Sequence, residues 1–247
     1  MAATYAGVSG VNRQITKIPV GVGGVNRNCK AAWAGVAGVN RQVFASGSPL
    51  SSKAIGNIVK IKESGAQTPF IVLSHGYPAS GRTLLLRENI YDNRQWKREE
   101  VNTYASSDID SWLNSTYLSL IDASTRAQIA AVNISYTHGD DDWTVSTLSR
   151  RVFLLSHTEM GFSEDYARVE GSPLPYFDSN LKRIGYLNGV ATIFWLRSPN
   201  VKNSSFACSV RTNGIHHNDR VTGSLGSRPA FTLPSSILLN DSNEIIA

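Results

Sequence analysis

Apolar positions fall into three patterns along the chain. Residues 1–44 intersperse valines with glycine and polar residues at short, regular intervals. The stretches 55–62, 70–74, 83–87 and 151–156 are strand-length apolar runs, and 107–120 places Ile109, Trp112, Leu113, Tyr117 and Leu120 at the three-to-four-residue spacing of a helix. Ser107 with Asp110 fits the start of that helix, because a serine oxygen can accept an otherwise unpaired amide of the first turn. Asp122 is placed to cap a second, shorter helix through 130. Further on, 190–196 and 206–212 read as strands, the latter turning at Asn213-Gly214, a pair that accepts the positive φ of a tight hairpin.

The first pattern is a repeat. Gly7-Val8-Ser9-Gly10-Val11-Asn12-Arg13 recurs from Gly21 and again from Gly35, with a period of 14 residues. Valines flank a small-residue and glycine pair in each copy, which predicts three short hairpins in residues 1–44. Ile15, Cys29 and Val43, and likewise Tyr5, Pro19 and Trp33, recur at equivalent positions, so each unit carries an apolar feature able to pack on a neighbour or partner. Arg13, Arg27 and Arg41 share parity with the valines and read as a solvated row. Residues 45–54, small, polar and interrupted by Pro49, read as a linker to a main domain over 55–247.

Composition narrows the class. At 247 residues with 41% hydrophobic and 17% charged residues, the chain has enough apolar surface for a large core, and the low charge favours strands over helices. The net charge of +5 is spread rather than clustered, so nucleic acid is not expected as a partner. No stretch has the length of a membrane span, and membrane insertion is not expected. Met1 leads into patterned sequence without a basic and then apolar leader, which predicts synthesis and retention in the cytoplasm, or release by lysis. Cys29 and Cys208 form no framework of bridges and no metal spacing, and read as free, buried thiols.

Candidate chemistry is sparse. His75-Gly76 follows a strand as an oxyanion turn does in serine hydrolases, but no Gly-x-Ser-x-Gly elbow accompanies it. His138-Gly139-Asp140-Asp141-Asp142 lacks the twelve-residue calcium-loop pattern and its closing glutamate, and reads as a solvated acidic turn. Asn114 follows the Trp112-Leu113 pair, where its amide either holds a loop or faces solvent. His216 and His217 are adjacent in a strand and point to opposite faces, which argues against a shared metal. No catalytic residue, metal site or cofactor is expected. Ligand binding is instead assigned to Asn200, Asn203, Asn213, His216, His217, Asn218 and Arg220, side chains that donate and accept hydrogen bonds in a loop-rich stretch between two apolar frames.

Those frames carry a resemblance. The segment from Ser107 to Asn114, the run Phe153-Leu154-Leu155-Ser156 with Glu159, and the pair Trp195-Leu196-Arg197-Ser198-Pro199 and Gly226-Ser227-Arg228-Pro229-Ala230-Phe231 resemble, in order, a sparsely characterised domain family of Firmicutes and their phages over roughly residues 55–240. The resemblance implies an α+β, C-type-lectin-like mixed domain with two helices and an antiparallel sheet, related to phage receptor-binding proteins, following a small all-β region of three hairpins. It also implies that Trp195, Arg197, Arg228 and Phe231 are scaffold. The glycine-valine repeats are similar to short repeats of phage tail and virion proteins. Together these imply a virion protein of tail or fibre. Residues 1–44 would attach to other virion proteins or form a homo-oligomer, and the main domain would contact a host cell-surface protein or glycan. The alternative is a purely structural decoration. The calcium motifs of sugar-binding lectins are absent, as are the paired active-site cysteines of formylglycine-generating oxidases, and no enzyme activity is expected.

Overall fold

The computed structural model describes residues 47–163 and 165–246 in full and, within 1–46, the backbone pairing of six strands. Those six form three antiparallel hairpins: Tyr5–Val8 with Val11–Gln14, Ile18–Val22 with Val25–Cys29, and Ala31–Val36 with Val39–Ala45. Each closes in the same register, with Val8 opposite Val11, Val22 opposite Val25 and Val36 opposite Val39, and with Gly7, Gly21 and Gly35 opposite Asn12, Asn26 and Asn40. The turn residues between the strands lie outside the described residues. So do the side chains read above as an apolar repeat and an arginine row.

Two five-stranded sheets organise the rest. The first runs Val152–Phe153, Ala230–Pro234, Arg82–Arg87, Ala66–His75, Ile58–Glu63, antiparallel throughout. Its central strands are apolar on both faces, as expected of strands covered on both sides. Phe70 and Phe231, neither exposed, meet with ring centroids 5.2 Å apart. Burying each such ring stabilises the fold by about 1.5–3 kcal/mol. The second sheet runs Asn93–Gln95, Ser224–Gly226, Phe194–Pro199, Phe206–Val210, His216–Arg220, and it is antiparallel except for a parallel bridge between Phe194 and Gly226. Side by side, the two Arg-containing frames supply central strands: Phe194–Pro199 in one sheet and, just after Arg228, Ala230–Pro234 in the other.

The helical period at 107–120 is realised as one continuous 13-residue helix. Ser107 Oγ accepts from the Asp110 amide at 3.1 Å, and Ile109, Leu113, Tyr117 and Leu118 face the core. A π-turn over 113–117 sits mid-helix. Asn114, in that turn, donates to the carbonyls of Asp110 and Val152 and accepts from the amides of Arg151 and Val152, so the amide holds a loop. Asp122 caps the short helix Ala123–Gln128 through the Ser124 amide.

The fold class differs from the expected α+β, C-type-lectin-like domain with two helices. Strands account for 40% and helix for 15%, and many small sheets accompany that single helix of 13 residues. The physical reason lies after residue 121. The second capped segment ends after six residues, and from Val132 the chain is strands, turns and coil apart from the four-residue Asn180–Arg183 helix, with positive φ at Gly139, Asp140, Asp141, Gly161, Gly171, Asn188, Gly189 and Gly214. The expected linker also needs correction in part. Ser48–Pro49 pair with Leu238–Leu239, which pair in turn with Ile245–Ile246, and Leu50 is fully buried, so this stretch is tied into the main domain.

Candidate functional site

The seven residues assigned to binding all fall on or beside one hairpin. Phe206–Val210 pairs with the edge strand His216–Arg220, Phe206 opposite Arg220 and Val210 opposite His216. At its tip, the Gly214 amide donates to the Arg211 carbonyl, and Asn213 Oδ1 accepts from the Ile215 amide at 3.3 Å. Gly214 has φ +78°, and a Cβ there would lie 1.9 Å from the Asn180 carbonyl oxygen, so only glycine fits.

Period two then sorts the edge strand. His216, Asn218 and Arg220 leave one face, His217 and Asp219 the other. His216 packs edge-on to His157 at 4.7 Å and stacks with Tyr166 at 5.1 Å. Asn218 Oδ1 is buried on that side with no hydrogen-bond partner among the described residues. Arg220 lies over the Phe206 ring and pairs with Glu100 at 2.9 Å. On the opposite face the His217 ring accepts from Arg211 Nη2 at 3.1 Å and lies 3.9 Å from Asp219, which accepts from Ser209 Oγ at 2.6 Å.

Three of the seven shape the backbone. Asn200 is 6% exposed, with Oδ1 accepting the Lys202 amide at 2.7 Å. Asn203 Oδ1 accepts the Ser205 amide at 2.9 Å in the same way, and Asn213 closes the tip. Asparagine favours such turns because its side-chain oxygen stands in for a backbone carbonyl. The structure therefore brings the seven to one hairpin but spreads them over both faces and both ends. The polar row that does form, Arg211, His217, Asp219 and Ser209, includes three residues outside the seven. Strand register was the signal that would have found them.

What holds this hairpin is Asn102. Fully buried, it donates through Nδ2 to the carbonyls of Asn200, Asn203 and Phe206 at 3.1, 3.2 and 2.8 Å, while Oδ1 accepts from the Asp140 amide at 2.8 Å. Its own amide donates to the Ser204 carbonyl. Gly139 completes the clamp: φ is +81°, and a Cβ would sit 2.3 Å from the Asn102 carbonyl oxygen. The acidic stretch 140–142 is thus a turn anchored to the clamp. Asp142 accepts from Thr144 and from His138 at 2.7 Å, and these hydrogen bonds, Thr144 first, lower its carboxyl to about 2. No group of three or more acidic, histidine or cysteine side chains able to hold a metal occurs among the described residues.

Behind the hairpin strand lies a buried ionic network. Arg197, 0% exposed, donates through Nη1 and Nη2 to the two oxygens of Glu159 at 2.7 and 2.9 Å, and through Nε to the Ser135 carbonyl at 2.9 Å. Glu159 also accepts from Tyr77 Oη at 2.5 Å and the Ser156 amide at 2.9 Å. Glu170 accepts from the Thr137 amide and Ser198 Oγ, with Arg197 Nε 3.6 Å away. Burial pushes the Glu170 carboxyl up against the opposing pull of Arg197. Burial and the Glu159 charge raise the Tyr77 hydroxyl, while Arg197 is raised in spite of burial, chiefly by Glu159. Glu159 has partners on both oxygens, so this network braces the fold. Trp195, Arg228 and Phe231 are likewise buried, Arg228 bonding the carbonyls of Arg87 and Glu88 and lowered by burial to about 10.

A family profile described as "Domain of unknown function (DUF6273)" matches residues 80–235, a span that includes Asn102, Glu159, Arg197 and the whole edge hairpin. No curated protein and no solved structure matches the chain.

Proposed function

The chain belongs to the DUF6273 family, and we propose that it is a bacteriophage virion protein of tail or fibre that recognises the host surface through its main domain. The reading is carried by one observation, the pairing of three hairpins in identical register at a 14-residue period ahead of a domain that holds a polar edge hairpin on a buried clamp. Repeated units that cannot bury a face alone need neighbours. In this reading residues 1–44 bind other virion proteins or further copies of the chain. The edge hairpin, with side chains pre-set by Asn102 and the sheet, meets a protein or glycan of the host at small entropic cost. The protein is made in the host cytoplasm and ends on the particle. Among the described residues no helix is long and apolar enough to cross a membrane.

The test is competition. Excess purified full-length protein is expected to lower phage adsorption to host cells, and a His217→Ala, Arg220→Ala variant to lose that effect while melting normally. A phage whose copy lacks residues 1–44 is expected to assemble particles without the protein. Particles that carry the protein while the purified chain never competes would replace recognition with a decorating role. Absence of the chain from particles would overturn the virion reading itself.

A further inference from the structure

A cleft of about 270 Å³ opens between the loop after Ala66–His75, the start of the strand Val132–Gly139 and the loop 171–175. It is separate from the edge hairpin. Its volume lies below the ~300–1,000 Å³ typical of sites for drug-sized ligands, so it suits a single ring.

The lining combines one fixed aromatic, an apolar rim and unspent polar groups. One face of the Tyr77 ring stacks on Phe153 at 6.0 Å and 23°, and its hydroxyl is held by Glu159, so the ring is fixed in place at the cleft. Pro173 and Pro175 line the cleft from the facing loop and are exposed. Asn133 and Ser135, two apart on one strand, leave the same face. Together with Ser172 they bring an amide and two hydroxyls that have no side-chain hydrogen bond to any described residue. The one charged side chain lining the cleft, Glu159, has both oxygens occupied by Arg197 and other donors.

We propose that this cleft binds one neutral pyranose ring, independently of the hairpin surface. An aromatic face attracts the weakly positive C–H face of a sugar, and the amide and hydroxyls can exchange hydrogen bonds with its hydroxyls. A charged ligand is disfavoured. An anion would face Glu159 with no free cation in the lining, and a cation would have to compete with Arg197. A proline-rich peptide needs an extended aromatic groove, whereas this cleft has one tyrosine and the room of one ring.

Saturation-transfer NMR on the full chain tests this with D-glucose, D-galactose, L-rhamnose and N-acetyl-D-glucosamine, using D-glucuronate and a hexaproline peptide as comparisons. At least one neutral sugar is expected to receive saturation, with a millimolar Kd. The Asn133→Ala, Ser135→Ala double variant is expected to weaken it about tenfold or more. Ser172→Trp, an exposed substitution that fills the cleft, is expected to abolish the signal without moving the melting midpoint, so the result does not depend on the double variant folding. Saturation of no neutral sugar, sugar binding that survives the Trp plug, or preference for hexaproline would each overturn the proposal. None of these outcomes bears on phage adsorption through the edge hairpin, because no hairpin residue lines the cleft and the variants leave the hairpin unchanged.

Discussion

At the scale of single residues, one buried amide carries more of the site than any residue of the hairpin itself. Asn102 satisfies three backbone carbonyls and an amide from four separate positions, and its own fully buried side chain finds all its partners within the protein. Asn102→Ala should cost ~1–3 kcal/mol in urea unfolding, because the carbonyls of Asn200, Asn203 and Phe206 each lose one of two donors and keep only a backbone amide. An equal loss in an Asn102→Asp variant would show that donation through Nδ2 matters, since Asp keeps the acceptor alone. A loss below half a kcal/mol in both would show that Asn102 does not hold the hairpin. Asn102 illustrates why sites are hard to read from a chain. The asparagines at 200, 203 and 213 are conspicuous as a polar cluster, yet their oxygens close local turns, while the residue that organises them stands about a hundred positions earlier with no local mark. Arg197 and Glu159 were visible inside apolar motifs, but not the fact that they meet.

Elements were legible where the signal is local. The capped helix from Ser107, the short helix after Asp122 and the Asn213-Gly214 turn all follow from spacing and cap chemistry. The apolar run 151–156 was less informative: only Val152–Phe153 pair as a strand, because the chain then turns to place Ser156 and Glu159 in the network. Glu170 joins elements in the same way, linking the Thr137 amide of one strand to Ser198 of another. Its carboxyl is raised above the ordinary 4.5, chiefly by burial, so the folded state holds that proton more tightly than the unfolded chain. Stability from this group is therefore complete below the ordinary value and is lost as pH rises through the raised one. Asp110, raised by burial beside Arg150, acts in the same direction, whereas Asp142, lowered, adds stability above 3.8 that is lost as pH falls towards about 2. Thermal melts should fall in midpoint as pH rises above the ordinary 4.5, and Glu170→Gln should flatten that slope. An unchanged slope in the variant would show that Glu170 does not titrate in this window.

For the whole molecule, low charge pointed correctly to strands, and the resemblance to a lectin-like domain pointed to a helix content that the chain does not have. The difference is topological. Sheet partners such as Arg82–Arg87 with Ala230–Pro234 lie about 150 residues apart, and no local pattern records which strand pairs with which. The same topology sets where the domain can be cut. Ser48–Pro49 and Ile245–Ile246 flank Leu238–Leu239 in one small sheet, two strand spacings or about 10 Å apart. Entry and exit are thus a single doorway, and the unit behind it is a portable cassette. Spliced through short flexible arms into a surface loop of an unrelated carrier, residues 47–246 should keep their own cooperative unfolding transition and leave the carrier's midpoint in place. A carrier that loses its fold on insertion would show that the doorway is wider than the strand pairing implies.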